Sequence, residues 1–197
     1  YRHQADVLAI YQQLRQAGYT DDRIILIVED DIADNVSNPN KGVIQVTIGG
    51  NNVYENVEID YRMSSLKAKD ILAILNGEKS ESLPTVIEST ENDNLFVFWS
   101  GHGVPGAMCW DEEPYAMTGD DLSTVFKDMN LKRRYRKLLM MVEACFSGGV
   151  MEQCEGIPGM LFITAANGDE TSKADVFNGE MKVWMSNRFT STFIEQI

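Results

Sequence analysis

The chain has 197 residues, of which 44% are hydrophobic and 24% charged, a composition typical of a single globular domain with a sizeable core. Thirty acidic residues against 17 basic ones give a formal net charge of −13, which argues against binding to nucleic-acid phosphates. The longest apolar runs are far shorter than the roughly 18 to 20 residues of a membrane-spanning helix. The three cysteines contain no CxxC pair of the kind that binds zinc.

Three elements are predicted in the first quarter of the chain. Residues 1–17 carry apolar side chains at a helical spacing, and Gly18 suits the position just after a helix end. Residues 23–28 (RIILIV) form a β-branched run that predicts a strand buried on both faces. Residues 43–48 (VIQVTI) alternate like an exposed hairpin arm, with a glycine- and asparagine-rich turn at 49–52.

The rest of the chain alternates between helical and strand patterns. Helices are predicted at 64–75, capped by Ser64 or Ser65, at 119–129 and at 183–197; strands are predicted at 95–99, 138–142 and 160–164, and a polar connection at 76–93. This order predicts an α/β fold around a largely parallel sheet. Ligands of such sheets bind beyond the carboxyl ends of the strands, which singles out the loops SGHGVPG and EACFSGG.

One of these two loops contains a potential acid/base residue and the other a potential nucleophile. His102 follows one predicted core strand and Cys145 follows another, so neighbouring parallel strands would bring both to one rim. An imidazole can take the proton of a thiol and later protonate a leaving amine, which is the chemistry of peptide-bond hydrolysis. Gly101 and Gly103 allow close backbone approach, and the N–H groups of Gly103 and Cys145 are candidates for an oxyanion hole.

Two other interpretations compete with catalysis. A cysteine at a strand end is commonly a small buried hydrophobe, which is also the expectation for Cys109 and Cys154. The turn at 147–149 opens a helix after a strand and is of the kind that can bind phosphate. It lacks the GxxxxGK[ST] pattern, however, and the net charge is negative, so a nucleotide-binding module is the weaker alternative.

Several motifs, taken together and in order, resemble the legumain family of asparaginyl endopeptidases. They are YRHQADV at 1–7, DDIA at 30–33, SGHG at 100–103, EAC at 143–145 and TAAN at 164–167. VEIDYR at 57–62 and NRFTSTFIEQI at 187–197 are closer to the catalytic subunit of the glycosylphosphatidylinositol transamidase, another branch of that family. The resemblance implies a caspase-like three-layer α/β/α sandwich with a mostly parallel central sheet and a Cys/His dyad.

The resemblance also assigns roles to individual residues. It makes Cys145 the nucleophile and His102 its acid/base partner, and it places Arg2, His3 and Glu143 in the pocket that binds the substrate asparagine. A carboxamide offers an oxygen to Arg2 and an NH₂ group to a carboxylate. Glu143 at the end of a core strand needs a partner, and Arg2 is the expected one. Without the resemblance, a surface ion pair and a helix-start polar residue would be the simpler readings of Arg2 and His3.

The chain departs from the legumain pattern at several of these positions. The second acid of the pocket corresponds to Asn187, which makes the pocket less negative and a strict asparagine preference less certain. Gly101 stands where legumain has an aspartate, so ligase behaviour is not inferred. Thr171 and Ser172 correspond to a serine pair that lines the substrate groove, although a plain exposed turn would also explain them.

The resemblance suggests that a core strand preceding residue 1 completes the sheet. The chain is then a single caspase-like domain within a longer polypeptide, and self-cleavage or truncation would each explain its start. We expect no metal and no organic cofactor, and the acidic clusters 30–31 and 111–113 are read as solvated surface. The predicted function is a cysteine endopeptidase acting on peptides or proteins after Asn, or Asp. Transamidase-like acyl transfer to an amine and a catalytically silent interaction domain are the alternatives. The family favours a periplasmic, secreted or lysosome-like compartment.

Overall fold

A computed structural model describes residues 1–110 and 116–196 of the chain. The helices in this part are α1 Arg2–Gln16, α2 Ala68–Asn76, α3 Gly119–Leu131, α4 Ser147–Met151 and α5 Arg188–Glu195. The strands are β1 Ile27–Val28, β2 Tyr61–Arg62, β3 Asn94–Ser100, β4 Gly103–Val104, β5 Ala107–Cys109, β6 Ala116–Thr118, β7 Lys137–Glu143, β8 Met160–Thr164, β9 Ala174–Asn178 and β10 Val183–Asn187. The predicted acidic cluster at 111–113 lies outside the described residues.

The chain forms two compact units. Unit 1 comprises residues 1–63 and 172–197, and unit 2 comprises residues 64–171. The expectation of a single domain stays a prediction.

Helix α1 supplies much of the core of unit 1. Its side chains at Ala5, Leu8 and Ala9 recur at helical spacing and are at most 4% exposed, which confirms the predicted helix. They pack with Leu26 and Val28 around the short parallel pair β1–β2. The strand predicted over 23–28 is much shorter in the structure, because a 3₁₀ turn occupies Asp21–Arg23 and the ladder begins at β1.

The hairpin arm predicted over 43–48 is wrong, since the segment forms turns and irregular backbone. Side chains take the place of a strand partner. The Asn52 amide accepts from the Ile44 N–H at 3.0 Å and donates to the Gly42 carbonyl at 3.0 Å. The Nδ2 group of buried Asn38 donates to the Val43 carbonyl at 3.0 Å. These amides offer the backbone an alternative to a ladder, as asparagine side chains do in turns.

The last helix begins later than predicted. Residues 183–187 form strand β10, which pairs antiparallel with β9, and helix α5 starts only at Arg188. The predicted helix over 183–197 is therefore wrong in its first five positions. β9 was not predicted, and without its partner the apolar run of β10 had no strand signal of its own.

Unit 2 is built on a parallel sheet of order β3-β7-β8. The three predicted strands are confirmed to within one residue at each end. β3 and β7 pair from Asn94 with Lys137 to Ser100 with Glu143, and β7 pairs with β8 from Leu138 with Met160. The α/β class and the parallel central sheet predicted from the sequence are thus confirmed.

Two helices of unit 2 have defined starts. The Thr118 side chain accepts from the Asp121 N–H at 3.2 Å, and the Asp121 carboxylate accepts from the Thr118 N–H at 2.9 Å, a reciprocal cap for α3. The predicted cap of α2 at Ser64 or Ser65 is wrong. Those serines belong to a 3₁₀ turn, and α2 follows Lys67, whose N–H donates to Asp70 at 2.8 Å.

A small antiparallel sheet, β4-β5-β6, begins within the SGHGVPG loop and was not predicted. Its strands have two or three residues each, too short for a periodic signal. Among the helices of the described ranges, none has the length and apolar character needed to cross a membrane.

Candidate active site

His102 and Cys145 lie beyond the carboxyl ends of two adjacent strands. Ser100 on β3 pairs with Glu143 on β7, and each candidate residue stands two positions after its paired residue. The Gly101 N–H still donates to the Glu143 carbonyl at 3.0 Å, which holds the two chains together past the last ladder pair. His102 is exposed and Cys145 half-buried, so both side chains are accessible from solvent.

Gly103 is in close contact with the backbone of Cys145. A β-carbon built at position 103 would lie 2.1 Å from the Cys145 carbonyl oxygen and 3.3 Å from the Ala144 β-carbon. The Cys109 N–H donates to the His102 carbonyl at 2.9 Å, so β5 holds the histidine loop from the other side. Only glycine fits at position 103 without displacing the cysteine loop.

The cysteine is followed by a sharp turn with an unusual backbone. Phe146 has φ 56° and ψ 17°, a left-handed conformation that is rare for a large non-glycine residue. Its N–H donates to the Glu170 carbonyl at 2.9 Å, and the Gly148 N–H donates to the Ala166 carbonyl at 3.0 Å. The turn after β8 therefore holds this conformation, which ends the strand at once and starts α4. Backbone strain of this kind is concentrated at functional sites.

The other two cysteines differ from Cys145 in their surroundings. Cys154 is 1% exposed, and burial raises the pKa of its thiol to about 11. A thiol that stays protonated is a poor nucleophile, in keeping with the packing role expected for Cys154. Cys109 is half-buried on β5.

Glu143, the predicted pocket acid, is completely buried in unit 2. It is the last residue of β7, and Met141, Val142 and Ala144 beside it are at most 1% exposed. A carboxylate in such surroundings requires compensating polar contacts. Arg2 belongs to unit 1, and its pairing with Glu143 stays a prediction.

Arg2 and Asn187 are hydrogen-bonded to each other within unit 1. The Arg2 Nε–H donates to the Asn187 Oδ1 at 3.0 Å. Asn187 is 2% exposed at the end of β10, and Arg2 is half-buried at the start of α1. The His3 Nδ1 lies 3.3 Å from the Asn187 Nδ2. An amide NH₂ group can only donate, so Asn187 is the donor in this contact.

Asp6 completes this group and was missed by the sequence reasoning. Its Oδ1 accepts from the Asn187 backbone N–H at 3.1 Å, and its Oδ2 accepts from the Asn187 Nδ2 at 2.6 Å. Asp6 is fully buried. A signal was available, since Asp6 follows Arg2 by four residues and His3 by three and so shares their helix face.

Thr171 and Ser172 lie in the connection between β8 and β9. Thr171 is exposed in unit 2 and Ser172 half-buried in unit 1, and their role in a substrate groove stays a prediction. Within the described ranges, no group of three or more His, Cys, Asp or Glu side chains is placed to hold a metal ion.

Comparison with known proteins identifies the family. A model described as the peptidase C13 family matches residues 1–197. Rat legumain is 31% identical over 199 residues, covering 99% of this chain and 45% of its own length. The vacuolar-processing enzyme of Ricinus communis and the hemoglobinase of Schistosoma mansoni are each 38% identical over 176 residues, covering 87% of this chain and 35% and 40% of their own lengths.

The chain thus spans less than half the length of these relatives. The matches confirm the resemblance to the legumain family, and with the parallel sheet β3-β7-β8 they confirm the caspase-like α/β fold. The chain belongs to the peptidase C13 family.

Proposed function

We propose that this chain is a cysteine endopeptidase that hydrolyses the peptide bond after asparagine by means of Cys145 and His102. The observation that supports the proposal is the register of β3 and β7, which pairs Ser100 with Glu143, two positions before His102 and Cys145 respectively. Proton transfer needs the two side chains within hydrogen-bond reach, and loops that follow adjacent strands are suited to provide it.

The reaction follows from the chemistry of the two side chains. His102 takes the proton of the Cys145 thiol, and the sulfur attacks the carbonyl carbon of the scissile bond. The tetrahedral intermediate then collapses, the C–N bond breaks, and His102 returns the proton to the leaving amine. A water molecule, deprotonated by His102, attacks the thioester and releases the acid product and the free thiol.

The negative charge of the intermediate needs hydrogen-bond donors. We assign this role to the backbone N–H groups of Gly103 and Cys145. The proposal is supported by the closeness of the two backbones, because the β-carbon position of Gly103 is 2.1 Å from the Cys145 carbonyl oxygen. Donors on such a constrained segment need little rearrangement during the reaction.

Specificity for asparagine is assigned to Arg2, His3 and Glu143, with Asn187 at the position of the second acid. The guanidinium of Arg2 donates to the carboxamide oxygen of the substrate, and the Glu143 carboxylate accepts from its NH₂ group. The hydrogen bond from Arg2 to Asn187 supports a fixed orientation of the arginine. With one acid instead of two, we expect aspartate to be accepted more readily than a pocket with both acids would allow. Thr171 and Ser172 are assigned to the substrate groove.

The test is cleavage of a peptide library by the parent protein, by Cys145→Ala and by His102→Ala, with the cut bonds identified by mass spectrometry. We expect cleavage after Asn, and after Asp to a smaller extent, by the parent alone. Absence of cleavage by the parent would refute the peptidase, and cuts after unrelated residues would refute the pocket assignment. Added hydroxylamine or glycine amide separates the alternative chemistry, because a transamidase would join the amine to the product in preference to water.

A further inference from the structure

Asp6 is a buried carboxylate that the proposed reaction does not use. It lies on the first turns of α1, is 0% exposed, and makes two hydrogen bonds to Asn187, one from the backbone N–H and one from the side chain. Burying a carboxylate costs free energy unless such bonds compensate it. The position of Asp6 beside Asn187 therefore needs an explanation.

Both the oxygen and the NH₂ group of the Asn187 side chain are hydrogen-bonded. Its Oδ1 accepts from Arg2, and the two hydrogens of its Nδ2 group are directed to Asp6 and His3. The opposite orientation of the amide would set its NH₂ against the Arg2 donor and its oxygen against the Asp6 carboxylate. Asp6 and Arg2 together therefore fix which way the amide points.

We propose that Asp6 is a positioning residue for the substrate pocket. Its carboxylate orients the Asn187 amide, and Asn187 in turn holds the Nε edge of Arg2, which leaves the terminal nitrogens of the guanidinium as the donors for the substrate carboxamide. This inference rests on the proposed function, because it takes Arg2 as the group that binds the substrate side chain.

A further consequence concerns the identity of residue 187. Asp6 Oδ2 lies 2.6 Å from Asn187 Nδ2, and an aspartate at 187 would place two carboxylate oxygens at that distance. Two buried carboxylates so close cannot both be ionised. One amide and one carboxylate are thus a matched pair, and exchanging them between positions 6 and 187 should keep the pair intact.

The test uses two variants, Asp6→Asn and the exchanged double variant Asp6→Asn/Asn187→Asp. Asp6→Asn sets two amides against each other, and we expect it to raise KM for an Asn-containing peptide about tenfold, the loss of one charge-assisted hydrogen bond. kcat should change much less. The double variant restores one donor and one acceptor and gives Arg2 a carboxylate partner, so its KM should return to within about threefold of the parent value.

Two further measurements separate a positioning role from a general loss of structure. The rate at which iodoacetamide alkylates Cys145 does not depend on the pocket and should be the same in all variants. Asp21→Asn is the matched control, because Asp21 also accepts a hydrogen bond from α1, from the Tyr11 hydroxyl, but lies outside the pocket residues. Its KM should equal that of the parent.

The outcomes remain distinguishable from a failure of the proposed function. Binding of the Asn-containing peptide to each variant in the Cys145→Ala background, measured by calorimetry, does not require catalysis. Loss of binding in Asp6→Asn with recovery in the exchanged variant supports the inference even if no bond is cut. A parent-like KM and affinity in Asp6→Asn would overturn it. If Asp6→Asn does not fold, the exchanged variant decides, and its failure to fold or to bind would overturn the inference too.

Discussion

The backbone of Gly103 lies against the carbonyl oxygen of Cys145, with only 2.1 Å between that oxygen and the position of a β-carbon at 103. Real β-carbons essentially never approach other atoms within 3.0 Å. The His102 loop and the Cys145 loop can therefore lie in contact only because residue 103 is a glycine.

Gly103→Ala should abolish most of the peptidase activity while the protein still folds. The added methyl group forces one of the two loops to move, and displacements of this size in a catalytic site cost about a hundredfold in rate. Cleavage rates with an Asn-containing peptide, together with circular dichroism of the variant, check this. Gly179→Ala is the control, because a β-carbon there has no atom within 4 Å. Parent-like activity in Gly103→Ala would show that the loops are not in contact.

Asn38→Ala should destabilise the loop that replaces the predicted hairpin arm. Asn38 is 6% exposed, and its Nδ2 group donates to the carbonyls of Ile32, Ala33 and Val43 at 3.0 to 3.2 Å. Loss of this donor from a buried site costs about 1 to 3 kcal/mol of unfolding free energy. Urea denaturation of the variant measures it. Exposed Asn51→Ala should stay within about 0.5 kcal/mol of the parent, and equal losses in both variants would contradict the role of Asn38.

The predictions from sequence succeeded where packing follows the local pattern. β3, β7 and β8 each contain an uninterrupted apolar run, which is typical of strands in a parallel sheet, so their positions were predicted to within one residue. His102 and Cys145 follow adjacent strands because β3 pairs with β7, and the apolar runs alone do not determine that strand order.

The predictions failed where distant side chains decide the backbone conformation. The alternation in VIQVTI satisfies a strand pattern, but the amides of Asn38 and Asn52 bind backbone groups that a neighbouring strand would otherwise pair with. β10 exists because β9 pairs with it, and neither strand has a strong pattern alone. Asp6 is the single acidic residue of α1, and its bonds to Asn187, 181 residues away, cannot be read from local sequence.

Thr118→Ala should lower the stability of unit 2 through the start of α3. The Thr118 hydroxyl accepts from the Asp121 N–H at 3.2 Å, and a helix that loses such a cap is destabilised by about 1 kcal/mol. For a protein of this size the melting temperature should fall by about 2 to 4 °C in a thermal scan. Thr124→Ala, within the same helix and exposed, removes a hydroxyl that donates to the Asp120 carbonyl at 2.8 Å, leaves the bonds between Thr118 and Asp121 in place, and serves as the control. An equal fall in both variants would contradict the capping role.

The free energy of unfolding of the parent should fall at alkaline pH, and Cys154→Ala should make this fall smaller. The thiol has an ordinary pKa of 9.0, and burial raises the pKa of Cys154 to about 11 in the folded protein. Between these values the unfolded chain gives up the proton and the folded protein keeps it. The unfolded state then binds fewer protons, so the free energy of unfolding falls as the pH rises from 9 towards 11, by at most about 1.4 kcal/mol per pH unit from this group. Urea denaturation at pH 8, 9 and 10 measures the difference in unfolding free energy between the parent and the variant. Tyrosines that titrate in the same range contribute equally to both proteins and cancel in this difference. Parallel curves for the two proteins would show that the Cys154 thiol ionises equally in both states.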